Sequence, residues 1–170
     1  MDVVGGSTGL SSVYRDRCYS NIDTASGSVG TWTTGDPGNV GGWSSQRMEQ
    51  TIHFYNGYLY QVAGCSQMAS GTCSNATSEV QFLKLNSNGG IGTWAVARGS
   101  TNGFTHRHGS AMFRGYLYLT GGESGGLLKS VQYYQVNNGG PGSTGSWTTS
   151  TTSLLQAHDH LTTKIYKVYN

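Results

Sequence analysis

Two histidine pairs, His106 with His108 and His158 with His160, have the alternate spacing that turns both side chains to one side of a β-strand, where two imidazoles can share a metal ion. Met48 and Gln50 stand at the corresponding place of an internal repeat, so no symmetric metal centre is expected. Asp159 beside His158, or Glu123 with Arg107, offers an acid and a base for proton transfer. The chain has 8 acidic residues, none clearly paired by spacing. It also lacks a His-Glu-x-x-His helix motif and a phosphate-cradling glycine loop, and "GGESGG" at 121–126 reads as a strand end and turn. No catalytic residue is therefore assigned, and no cofactor is expected. Binding is the better use of these residues: Trp43 and Phe104 offer aromatic faces, and Arg47, His106, Arg107, His158 and Asp159 offer polar groups that suit sugar rings or a protein loop.

Cysteine chemistry points to one covalent feature. Cys65 and Cys73 flank "SQMASGT", a short Ser/Gly loop that a disulfide can close if the chain is exported. Asn75-Ala76-Thr77 is an N-glycosylation sequon, relevant only in a glycosylating host. Cys18 has no third partner and reads as a small buried hydrophobe on a strand.

Composition narrows the partners. The formal charge is +2 with no run of Lys or Arg, so nucleic acid is not expected. No apolar stretch approaches the roughly 20 residues of a membrane-spanning helix. The start of the sequence shows no basic segment leading into an apolar one, so a signal peptide is not read there. Only 11% of the 170 residues are charged and 27 are Gly, which implies many turns and a neutral surface. Eleven Tyr and four Trp supply the apolar area that a disordered chain lacks.

The elements that must position these residues are announced by repetition. "FYNGYLYQVAGC" at 54–65 returns as "MFRGYLYLTGGE" at 112–123, and "MDVVGG" opens the chain on the second half of that phrase. Three landmarks recur in order. A strand ends in a glycine pair or near pair ("VVGG", "QVAG", "LTGG"); an alternating strand ends in Asn or Asp ("CYSNID", "QFLKLN", "QYYQVN"); a glycine-laden turn runs into Trp32, Trp94 or Trp147. A further strand precedes the glycine pair, with "NG" at 56–57 and "RG" at 114–115 as tight hairpin turns. Val80 and Phe82 alternate against Leu83 and Leu85, as in a sheet apolar on both faces. Each unit thus reads as four short antiparallel strands in about 50 to 60 residues, the length of a propeller blade. The tryptophans are expected to fill the space between the outer parts of neighbouring blades, and the glycine pair to admit close approach near a crowded axis.

The order of glycine pair, aromatic-bearing strand and Trp resembles the kelch repeat, in the form found in galactose-oxidase-type central domains and exported bacterial propellers. The likeness spans nearly the whole chain; Ala63 in place of the first glycine of its pair is a departure. It implies an all-β propeller and an extracellular setting, secreted or at the cell surface. It also implies that an Arg or His leading into the first strand hydrogen-bonds loop carbonyls around a channel. Galactose oxidase holds copper through Tyr, His and a Tyr–Cys crosslink, a set that Cys18-Tyr19 alone does not reproduce. Sialic-acid mutarotases share the fold, so a carbohydrate-active enzyme is the competing reading.

The chain reads as a single domain with units at 1–46, 47–104 and 105–155, and 156–170 as the first strand of another unit. "AHDHLTTKIYKVYN" resembles the first strand of a unit, and "MDVVGG" its missing hairpin partner. Three blades are fewer than the four or more that close a ring. The expectation is therefore exchange of strands between copies in a homo-oligomer, a six-bladed dimer being preferred to a head-to-tail polymer or an excerpt of a longer propeller. Function, if local, belongs on the rim that gathers residues 35–47, 65–73, 97–108 and 150–160.

Overall fold

The computed structural model describes residues 2–8, 12–35, 46–85, 92–97, 101–103, 105–136 and 146–166. Their regular structure is entirely β, in three antiparallel sheets. The first holds β1 (Asp2–Thr8), β2 (Ser12–Tyr19) and β3 (Thr33–Gly35) in that order. The second holds β4 (Thr51–Tyr55), β5 (Tyr58–Ala69), β6 (Thr72–Lys84) and β7 (Ala95–Val96). The third repeats this with β8 (Gly109–Phe113), β9 (Tyr116–Thr120), β10 (Val131–Gln135) and β11 (Thr148–Thr149).

Local sequence explains the sheets. Asn56-Gly57 and Arg114-Gly115 both have positive φ at each residue, 54° and 79° then 49° and 80°, the primed turn whose twist suits a two-residue hairpin. Cross-strand pairing then follows in strict register, Tyr60 opposite Phe82 and Val62 opposite Val80 on one face, Leu59 opposite Leu83 on the other. The alternation read from the sequence separates two cores. Tyr60, Val62 and Val80 pack with Leu117, Leu119, Tyr134, Val136 and Trp147 of the third sheet. Leu59, Leu83 and Trp94, with Ile52 and Leu85, form a second cluster on the opposite face, and β2 lies against β5. Each of these side chains contributes roughly 1.5 to 3 kcal/mol by leaving water.

Trp94 and Trp147 are buried in these clusters as their spacing implies, whereas Trp32 is 45% exposed. The reason is position: the sheet carrying Trp32 has a neighbour on one face only among the described residues. The segment between Cys65 and Cys73 also differs from the expected loop. It is the end of a long β5–β6 hairpin that turns at Ser70-Gly71, φ 50° and 81°, and extends beyond β4 and β7 as an arm. A Cys65–Cys73 disulfide staples this arm, with Cα atoms 5.8 Å apart. Cys18 is a half-buried free thiol on β2.

The glycine pair works by close approach. A Cβ on Gly64 would lie 2.8 Å from both the Gln50 Cβ and the Met48 carbonyl; one on Gly122 would lie 2.8 Å from the His106 carbonyl. Both glycines donate to the segment leading into the next unit: Gly64 N–H to the Thr105 carbonyl at 2.9 Å, Gly122 N–H to the His158 carbonyl at 2.8 Å. Residues 158–163 therefore lie beside β8 as β8 lies beside β4. The Leu161 N–H reaches the Arg107 carbonyl at 3.4 Å, as the Arg107 N–H reaches Glu49 at 3.1 Å, and Thr163 bonds Thr120 through their hydroxyls at 2.6 Å.

A candidate binding rim of charged residues

The segments leading into β4, into β8 and along 157–161 each make the same sharp bend. Glu49, Arg107 and His160 occupy it in turn with φ of 55°, 55° and 50°. Such left-handed residues are held by their surroundings, here by backbone bridges: Met48 pairs with Cys65, and His106 with Glu123. The bend breaks the strand alternation, so His106 and His108 do not face one way. His108 Nε2 meets Thr51 Oγ1 at 3.0 Å inside the seam between the second and third sheets. His106 Nε2 instead faces Glu123 Oε2 at 3.6 Å and Glu49 Oε2 at 3.8 Å.

Arg107 ties this end together. Its Nε donates to Glu49 Oε1 at 2.9 Å, its Nη1 donates to Glu123 Oε2 at 3.0 Å, and Asp159 Oδ2 lies 3.9 Å away. The hydrogen bond to Glu49, above all, holds the guanidinium pKa above its ordinary value. Asp159 in turn meets His160 Nδ1 at 3.0 Å. Three carboxylates around one guanidinium leave a net negative field at this end. His106 Nδ1 and Glu49 Oε2 are buried without a hydrogen-bond partner among the described residues. A buried polar group in that condition costs free energy that a bound hydroxyl or ammonium group can restore.

A cleft of about 320 Å³ opens beside this network, between Cys73–Ala76 on the stapled arm and Ser124–Gly125 on the turn after β9, with His106 at its wall. A second hollow, about 480 Å³, lies along Leu154, Leu155, Gln156 and His158.

Of the residues singled out from sequence, His106, Arg107, Glu123 and Asp159 meet here with His160 beside Asp159, and His158 borders the second hollow. Arg47 stands apart. It is fully buried, its guanidinium paired with the Glu79 carboxylate and donating to the Glu79 carbonyl at 2.8 Å, so it fastens the lead into β4 onto β6. Burial works against its charged form, and Glu79 offsets that. Trp43 and Phe104 fall outside the described residues. Glu49 was not singled out because nothing near it in sequence marks its partner; the contact exists only because β8 packs beside β4. Among the described residues no three ligating side chains gather to hold a metal ion. Among the described residues no helix is long and apolar enough to cross a membrane.

No protein-family model matches the chain, and no curated protein sequence matches it significantly.

Proposed function

We propose that the chain is a kelch-like β-propeller segment that is exported, is completed by strands of a second copy, and serves as a non-catalytic binding module for carbohydrate or protein. The observation that carries the binding role is the cleft beside the Glu49–Arg107–Glu123–Asp159 network, walled by a covalently stapled hairpin. A stapled wall, the polar side chains of Ser74, Asn75 and Ser124 and the His106 ring suit the hydroxyl groups of a sugar, and the carboxylates that face His106 favour one bearing an amine. The disulfide and the neutral surface support an extracellular setting.

A glycan array probed with the full chain tests the reading. Retention of amino-sugar-bearing glycans is expected, and Ser124→Trp, which fills the cleft from an exposed position, should abolish it without lowering the melting temperature. Undiminished binding by that variant would remove the cleft from the account.

The competing enzymatic reading has one observation in its favour, His106 Nε2 poised between two carboxylates. Exchange of sugar anomers followed by NMR, faster with the protein than without it and lost in His106→Ala, would favour it instead.

A further inference from the structure

The second and third sheets carry the same three aromatic rings. On the second, Tyr58, Tyr60 and Phe82 lie with centroids 6.3–6.5 Å apart. On the third, Tyr116, Tyr118 and Tyr133 lie with every pair of centroids 6.2 Å apart. The first triad is covered by Leu117, Leu119, Tyr134 and Trp147 of the third sheet, and Tyr60 is 1% exposed as a result. The second triad has no sheet over it among the described residues, and all three of its tyrosines are left part-exposed.

The covering face recurs at the other end of the molecule. Trp32 of the first unit stands where Trp94 and Trp147 stand in theirs, two residues before a residue that pairs with β2, β6 or β10. Ile22 stands where Leu85 and Val136 stand, and bridges to Val29. These three side chains are 45–47% exposed. One end of the molecule thus presents the face that covers an aromatic triad, and the other end presents a triad uncovered.

We propose that the Tyr116–Tyr118–Tyr133 face takes the Trp32–Ile22–Val29 face of a second copy of this chain, in the packing that joins its own second and third sheets. The proposal rests on the propeller reading for the kind of neighbour expected, and on the observed packing of those sheets for the contact itself. It is a heterologous contact, so it closes a dimer if the rotation permits and runs on as a series if not. It is also separate from strand pairing along β1, which involves backbone groups alone.

Sedimentation velocity on the full chain, on Trp32→Arg and on Tyr118→Arg tests it. The wild-type chain should associate, and each variant should weaken the association about 30-fold or more, since aromatic anchors at the centre of an interface dominate its affinity. An equimolar mixture of the two variants should recover a two-chain particle, because one intact pair of faces remains between them. Hydroxyl-radical footprinting of the wild type needs no variant: Trp32 and Tyr118 should become protected together as concentration rises. A wild-type chain that stays monomeric at high concentration, variants that associate normally, folded variants that fail to complement, or protection of residues 2–8 with Trp32 and Tyr118 still accessible would each overturn the proposal. None of these outcomes depends on glycan binding, so the cleft reading stands or falls separately.

Discussion

Gly64 and Gly122 show how strongly single positions are determined. Each combines positive φ, 106° and 97°, with a backbone carbonyl 2.8 Å from where a Cβ would sit. Gly122→Ala should therefore destabilise the fold by about 3 kcal/mol, strain and overpacking together. Gly125→Ala, with comparable φ of 68° but open space around it, should cost only about 1 kcal/mol. Urea titration of both variants separates close approach from backbone preference; equal losses would show that the carbonyl contact is unimportant. The buried histidines make a pH prediction at the same scale. Desolvation chiefly, with His106 and His53 adding to it, lowers His108 to about 3, and desolvation lowers His53 as well. A histidine with a depressed folded pKa binds fewer protons folded than unfolded, so stability rises with pH through the window between the two values. The unfolding free energy from urea titration should fall as pH drops from about 6.5 towards 4, by about 1.4 kcal/mol per pH unit for the proton taken up at His108. The slope should flatten in His108→Gln, whose amide can still meet Thr51; an unchanged slope would place the titration elsewhere.

At the scale of elements, the stapled arm behaves as an appendage of the sheet. Its disulfide closes a loop with sequence separation 8, so the chain-entropy effect is limited to about 2.5 kcal/mol. Replacing both Cys65 and Cys73 by Ser should lower global stability by no more than that, while the amides of 66–73 lose protection from hydrogen exchange and those of 58–62 keep it. Loss of protection across the whole of β5 would mean that the arm and the sheet fold as one unit. The arm also shows where local reading ran out. Ser70-Gly71 is as good a hairpin turn as Asn56-Gly57, yet its flanks are Ser, Gln, Thr and Cys, without the alternation that made β5 and β6 legible at 58–62 and 80–84. Hairpins, sheet faces and the burial of Trp94 and Trp147 could be read because they depend on residues close in sequence. The Glu49–Arg107 contact could not, because it joins separate units that meet only once the sheets have packed, and neither could the burial of Arg47, whose partner Glu79 is 32 residues away in sequence.

At the scale of the whole molecule, what stands out is the mismatch between its two ends. Among the described residues, 158–163 lie beside β8 without a sheet of their own, and β1 is paired along one edge only. An open edge with unpaired backbone groups is a template for another chain, and natural sheets seldom leave one uncovered. If a second copy supplies the cover, two copies joined in tandem through a flexible linker hold both contacts within one polypeptide. Association then becomes intramolecular, governed by an effective concentration far above the micromolar range. The tandem form should run as a particle of its own chain mass, with a melting temperature independent of concentration and about 5 °C above that of the single chain at micromolar concentration. A tandem form that still assembles into long series, with melting that rises with concentration, would show that the rotation between copies does not close and that the open series is the native arrangement.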